Sequence, residues 1–99
     1  MAGTVQHRIY TIQEGLLEEW AEKWRSRIVP LRREFGFEIH GAWLDHERSQ
    51  FIWVLSYDGP ESFQERNQQY WDSPKRARMG VDPSLYLVDR VVREVAAVS

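Results

Sequence analysis

Three polar side chains in this sequence combine a residue type and a position suited to chemistry on a small molecule. His40 lies in the middle of an alternating segment, where one imidazole in an apolar cavity can act as a general base near neutral pH. Tyr57 carries a phenol that can pass a proton, and Arg66, one helical turn from two aromatic residues, can stabilise developing negative charge. If the protein is an enzyme, we expect proton-transfer or cofactor-independent oxygen chemistry, with His40, Tyr57 and Arg66 as catalytic residues and no cofactor.

The aromatic content of the sequence favours a flat, apolar ligand. Five Trp, four Tyr and four Phe occur in 99 residues, and phenols can hydrogen-bond a carbonyl while indoles stack on a ring. The predicted ligand-binding residues are Tyr10, Trp43, Trp53, Tyr70 and Trp71. All these side chains, and the three catalytic candidates, also have a structural interpretation: core packing for the aromatic residues, a solvated or hydrogen-bonded histidine, and an arginine in a surface ion pair.

Composition and spacing exclude several other kinds of site. The sequence has no cysteine, and its three histidines do not have a spacing that brings two imidazoles to one metal ion. Its serines lack the glycine-flanked turn of a nucleophile, and no glycine-rich phosphate loop is present. With 13 basic and 15 acidic residues, the net charge of -2 provides no field that gathers nucleic acid or anionic lipid. We therefore expect no metal, nucleic acid or membrane partner.

Four segments have the composition of β-strands: residues 5–12, 37–45, 51–57 and 85–95. In the second, alternation predicts one side formed by Phe37, Ile39, Gly41 and Trp43, and the other by Glu38, His40, Ala42 and Leu44. The short polar stretch 45–50 predicts a hairpin between the second and third strands.

Two segments have the features of helices. The first has apolar residues three and four apart from Leu16 to Phe35 and ends at Gly36; Arg32 is predicted on its polar face, and Pro30 predicts a kink near Ser26. The second follows Asp58, a plausible cap, with Pro60 in its first turn. Ser73-Pro74 is expected to end it before a short turn at 75–79.

The third strand places apolar side chains on both of its faces. In the order β-α-β-β-α-β, right-handed connections give an α+β, ferredoxin-like fold: a four-stranded antiparallel sheet with both helices on one face. The helices cover one face only, so a second copy of the chain is expected to cover the other. The sequence therefore predicts a homodimer joined through the sheet face, a dimeric α/β barrel.

Several short motifs resemble the NIPSNAP family. They are Arg8-x-Tyr10-Thr11-Ile12 followed by Gly15, the pair Trp24 and Pro30, Gly36-Phe37 with Gly41 and Trp43, and Trp53 to Tyr57 followed by Arg66, Trp71 and Pro74. Glu14 replaces the proline that the family usually has before the first glycine. The resemblance implies a homodimeric α/β-barrel domain, in a superfamily that includes cofactor-free monooxygenases, cyclases and decarboxylating or dehydrating enzymes.

The sequence predicts a single cytoplasmic domain over residues 1–99. We expect this domain to bind a small hydrophobic or aromatic metabolite between its sheet and its helices. Monooxygenase, cyclase or isomerase activity is compatible with it. The alternative is a structural or interaction module without a pocket. RNA recognition, which uses the same order of elements, is disfavoured because Arg48 to Trp53 lacks the glycines of the RNA-binding strand motif.

Overall fold

The computed structural model describes residues 3–96 and 98. The predicted order of strands and helices is confirmed. The elements are β1 (Thr4–Ile12), α1 (Leu17–Lys23), a π-helical turn (Trp24–Ile28), α2 (Val29–Glu34), β2 (Phe37–Asp45), β3 (Gln50–Tyr57), α3 (Phe63–Asp72), α4 (Pro74–Arg78), a 3-10 turn (Pro83–Leu85) and β4 (Leu87–Val95). The strands form one antiparallel sheet in the order β2-β3-β1-β4, which is the ferredoxin-like arrangement. Across the described residues, none of the helices has the length and apolar character needed to span a bilayer.

One face of the sheet packs against the helices and forms the core. Alternate residues of β1 and β3 are buried on this face, including Tyr10, Phe51 and Trp53. Trp24 packs edge-on against two of them, with ring centres 4.9 Å from Phe51 and 5.5 Å from Trp53. Edge-on aromatic pairs of this kind are favourable beyond the area that they bury. The aromatic residues of the sequence therefore form most of this core.

A π turn interrupts the first helix where the kink was predicted. Pro30 has no N–H, so the carbonyl of Ser26 receives no α-helical bond from it, and the Val29 N–H bonds instead to the carbonyl of Trp24, five residues earlier. A π turn holds more residues than an α turn. Side chains spaced by four residues therefore point in more nearly the same direction from the helix axis. Arg32 consequently faces the sheet and is only 2% exposed. Its predicted position on the polar face is therefore wrong.

A β-bulge at His40 changes the predicted faces of β2. Phe37 and Ile39 pair with residues on the helical face of β3, but after the bulge Gly41 pairs with Val54 on the opposite face. An extra residue reverses the alternation of a strand. Ala42 and Leu44 therefore face the helices with Phe37 and Ile39, whereas Gly41 and Trp43 face away. The predicted grouping of Gly41 and Trp43 with Phe37 is wrong.

The second helical region begins later than predicted. Ser62 is the N-cap of α3: its Oγ accepts a hydrogen bond from the Glu65 N–H at 3.1 Å and lies 3.3 Å from the Glu65 carboxylate. Asp58 and Pro60 precede the helix, so Asp58 is not its cap. The break at Ser73 is confirmed, with α4 beginning at Pro74.

The other face of the sheet, which we call the open face, carries no helix from residues 3–96. Strand pairing places Ile9, Ile52 and Val91 beside one another on it, and Val5 beside Val95. Trp43 and Val95 are 54% and 45% exposed. The described part of the chain therefore leaves an apolar sheet surface without internal cover.

Candidate functional site

A cavity of about 20 Å³ lies between the helical face of the sheet and the helices. Its walls are mainly aromatic, and two buried arginines reach into it. Trp71 and Arg90, both exposed, lie at its rim together with Pro83 and Leu87. The full lining is Tyr10, Trp20, Trp24, Ile28, Arg32, Trp53, Tyr70, Trp71, Arg76, Pro83, Leu87 and Arg90.

Arg32 reaches this cavity from α2. Its Cζ lies 3.8 Å from the centre of the Tyr70 ring and 4.8 Å from that of Phe37, so aromatic rings contact the planar guanidinium. Nη1 donates a hydrogen bond to Asn67 Oδ1 at 2.7 Å, but the buried Nε has no acceptor. Burial, together with the positive charge of Arg8, lowers the pKa of Arg32 to about 10. Arg32 therefore remains a cation at neutral pH.

Arg76 enters the cavity from α4. Its Cζ lies 4.3 Å from the centre of the Trp71 ring and 5.8 Å from that of Tyr70, and Nη1 donates to the Val81 carbonyl at 2.9 Å. Its Nε is buried without an acceptor. The Tyr70 hydroxyl, also buried, has no hydrogen bond of standard geometry. Burial raises the pKa of Tyr70 despite the nearby charge of Arg32, so its phenol stays protonated and can donate a hydrogen bond.

Arg8, on the helical face of β1, is 6% exposed and lies behind the cavity wall. Its Nε and Nη2 donate to Gln6 Oε1 at 3.0 and 2.9 Å, and Nη1 donates to the Tyr10 hydroxyl at 3.0 Å. Its Cζ is 5.4 Å from the centre of the Trp53 ring. Arg8 therefore fixes the orientation of Tyr10 and adds a positive charge to the interior.

Among the residues that the structure describes, the interior holds positive charge without negative charge to balance it. Arg8, Arg32 and Arg76 are buried, whereas no Asp or Glu among the described residues is. None of the three has a carboxylate oxygen within 4.0 Å in the described part of the chain. Buried charges in proteins are normally paired. We call Arg8, Arg32 and Arg76 the arginine cluster.

The family model that describes NIPSNAP proteins matches residues 5–98. The chain belongs to the NIPSNAP family. The resemblance inferred from the sequence motifs is thereby confirmed, and no curated protein matches the chain significantly.

Solved structures share the fold of this NIPSNAP protein at low sequence identity. An uncharacterized NIPSNAP domain protein from Burkholderia xenovorans has a TM-score of 0.79 at 14% identity, over 97% of this chain and 95% of that one. A NIPSNAP family protein from Agrobacterium tumefaciens has a TM-score of 0.78 at 18% identity, over 94% and 90%. A candidate antibiotic biosynthesis monooxygenase from Nitrosomonas europaea has a TM-score of 0.68 at 10% identity, over 97% and 99%. These similarities show the fold.

Four of the predicted ligand-binding residues of the NIPSNAP domain line the cavity: Tyr10, Trp53, Tyr70 and Trp71. Trp43 does not. It projects from the edge strand β2 and lines a separate open groove of about 350 Å³ beside α1. Ligand binding by the four cavity residues stays a prediction, but the structure brings them together as that prediction requires.

The three predicted catalytic residues do not line the cavity. His40 lies exposed in the β2 bulge with Nε2 2.7 Å from Ser56 Oγ, outside the apolar cavity in which a general base was predicted. Tyr57 donates a hydrogen bond from its hydroxyl to Glu61 Oε1 at 2.5 Å. Arg66 is held by the Phe35 carbonyl, which its Nε reaches at 2.8 Å, and by Glu61 at 3.6 Å. These placements fit structural roles for His40, Tyr57 and Arg66.

The role predicted for Arg66, holding negative charge near aromatic rings, fits the positions of Arg32 and Arg76 instead. Arg32 follows Trp24 and Ile28 at intervals of four, a spacing that could have indicated its inward direction. Arg8 alternates with the inward Tyr10 in β1. The basic run 75–78 gave no signal that one of its members is buried.

In the described residues, no three His, Asp or Glu side chains converge as a metal site would require.

Proposed function

We propose that this NIPSNAP protein is a homodimer whose protomers each bind a small hydrophobic or aromatic molecule in the cavity between sheet and helices. The observation that carries the proposal is the combination of aromatic walls with buried polar groups that lack partners: Arg32 Nε, Arg76 Nε and the Tyr70 hydroxyl. Ligand sites typically combine apolar walls with a few convergent polar groups. An unpaired buried donor is costly unless a ligand or water supplies the acceptor.

The size of the cavity determines how a ligand is accommodated. A space of about 20 Å³ is enough for a group the size of a water molecule. The remainder of a larger molecule must occupy the rim, where Trp71 and Arg90 are exposed. Exposed side chains change rotamer within nanoseconds. We therefore propose that Trp71 and Arg90 move aside when the ligand binds.

The homodimer is proposed from the open face. Ile9, Ile52, Val54 and Val91 form a continuous apolar patch there because antiparallel pairing aligns them. A contiguous apolar patch of this kind is typical of an interaction surface. A second copy, packed sheet to sheet, supplies an equally apolar and complementary surface.

Two kinds of function are compatible with this site. Arg32, Arg76 and Tyr70 can hold an anionic oxygen that develops during a reaction, and the candidate monooxygenase from Nitrosomonas europaea shares the fold. The lining contains no histidine and no carboxylate that could remove a proton. That composition favours the second candidate, ligand binding without turnover.

Two matched variants test whether the cavity is the binding site. Leu87 lines the cavity and Leu85 is 63% exposed two residues earlier, so Leu87→Trp fills the cavity whereas Leu85→Trp does not. Thermal unfolding is followed with 2-naphthoate, 2-naphthamide, benzoate and benzamide, since a ligand of the native state raises the midpoint. We expect a rise in the wild type and in Leu85→Trp, and none in Leu87→Trp. A wild type that responds to none of the four compounds, or an unaltered response in Leu87→Trp, would overturn the proposal.

A further inference from the structure

We propose that the ligand of this cavity carries a compact oxyanion, a carboxylate or an enolate, which binds between Arg32 and Arg76. This inference rests on the proposed function and adds the chemical class of the ligand. It is carried by the arginine cluster, whose members are all buried and have no carboxylate within 4.0 Å among the described residues.

The two guanidiniums lie beside the same aromatic ring and line the same cavity. The Cζ atoms of Arg32 and Arg76 lie 3.8 and 5.8 Å from the centre of the Tyr70 ring. Each has a buried Nε–H without an acceptor, and the Tyr70 hydroxyl is a third buried group without one. Aromatic rings contact the flat faces of the two guanidiniums. The N–H bonds of a guanidinium lie in its own plane, where they require acceptor oxygens. An oxyanion supplies these acceptors and also the missing negative charge.

The cavity also indicates which anions fit. About 20 Å³ is room for a water-sized group and is small for a phosphate with its four oxygens. A carboxylate or enolate oxygen can enter this space while the rest of the molecule lies against Trp71 at the rim. Arg90, also at the rim, is exposed and adds positive charge along the entry path.

The experiment compares 2-naphthoate with 2-naphthamide, which has nearly the same shape and no charge. Affinities are measured at constant ionic strength from the quenching of tryptophan fluorescence. We expect the carboxylate to bind the wild type at least about tenfold more tightly than the amide, since a hydrogen bond to a charged group contributes more than a neutral one. In Arg32→Met and Arg76→Met this preference should disappear. The matched control is Arg33→Met, because Arg33 is the exposed neighbour of Arg32 in α2.

Arginine side-chain NMR supplies a second readout. The Nε–H signals of Arg32 and Arg76, identified by their loss in the two variants, should shift when 2-naphthoate is added, and that of Arg33 should not. If both compounds bind the wild type equally, the oxyanion inference is wrong while the proposed function stands. If neither binds, the proposed function fails as well. If the carboxylate binds preferentially but the Met variants keep the preference, the anion lies elsewhere and the inference is wrong.

Discussion

The guanidinium of Arg32 lies 3.8 Å from the centre of the Tyr70 ring, in a protein interior that holds no buried carboxylate among its described residues. The ring and the hydrogen bond to Asn67 offset only part of the cost of burying this charge. The lowered pKa of Arg32, about 10, expresses the remaining cost, since the folded state disfavours the protonated form. We therefore expect this residue to reduce stability in the absence of a ligand.

Replacing Arg32 with methionine should stabilise the unliganded protein. An apolar side chain of similar length removes the uncompensated charge, and such replacements of buried ionic groups are often stabilising. We expect the free energy of unfolding to rise by about 1 kcal/mol or more at pH 7. Urea denaturation measures it, with Arg33→Met as the surface control that should change it by less than about 0.5 kcal/mol. A loss of stability in Arg32→Met would show that Arg32 is a structural element of the core.

The hydrogen bond from Tyr57 to Glu61 should make stability depend on pH in the acid range. This bond lowers the pKa of Glu61 below its ordinary value of 4.5; the backbone N–H of Glu61 and then the nearby charge of Arg66 act in the same direction. A carboxyl group with a lowered pKa in the folded state contributes stability above its unfolded pKa and loses it as the pH falls through the folded value. In Tyr57→Phe, the Glu61 pKa should rise and stability should fall less steeply below pH 4.5.

Carbon-13 NMR of the Glu61 carboxyl group measures this pKa directly. Tyr86→Phe is the control, because Tyr86 donates its hydrogen bond to Glu19 rather than to Glu61. The titration of Glu61 should be unchanged in that variant. An unchanged titration in Tyr57→Phe would contradict the assignment of the hydrogen bond.

The N-cap of α3 should have a measurable effect because this helix carries Tyr70 to the cavity and Asn67 to its hydrogen bond with Arg32. Ser62→Ala removes the acceptor of the Glu65 N–H, and we expect a loss of about 1 kcal/mol in the free energy of unfolding. Gln64→Ala, at an exposed position of the same helix, should cause no loss. Equal stability of Ser62→Ala and the wild type in urea denaturation would argue against the cap.

A charge placed on the open face should separate the proposed dimer. Ile52 lies at the centre of the apolar patch, and Ile52→Glu would place a carboxylate against the partner sheet without a counter-charge. Sedimentation at micromolar concentration should give twice the protomer mass of 11.8 kDa for the wild type and a single protomer mass for the variant. Gln64→Glu, on the opposite side of the molecule, should remain dimeric. A folded monomeric wild type would refute the dimer.

Strand and helix order were predictable because the periodic signal is strong wherever one face is buried. The bounds of β2 agree with the prediction, and β1 and β3 each begin one residue earlier than predicted. The bulge at His40 was missed because Gly41, which has no side chain, is compatible with either face of the sheet. Its residue type therefore does not reveal that the faces change there. The start of α3 was misplaced because Asp58 and Ser62 are both good caps, and only tertiary packing selects between them.

The cavity residues were predictable in type but only partly in position. Tyr10, Trp53, Tyr70 and Trp71 line the cavity as bulky aromatic residues of inward-facing elements. The arginines were not found, since an arginine in a helix or a strand is normally exposed. Arg32 continues the four-residue spacing of Trp24 and Ile28, but the π turn that keeps it on their side is a local change of hydrogen bonding that residue types alone do not reveal.

The bulge at His40 also affects the exposed edge of the sheet. β2 is an outer strand, and a regular outer strand presents an unbroken ladder of amide and carbonyl groups onto which a strand from another molecule can add. The unpaired His40 breaks that ladder midway. Addition of a further strand at the β2 edge should therefore be disfavoured, which removes one of the two sheet edges at which edge-to-edge association could begin.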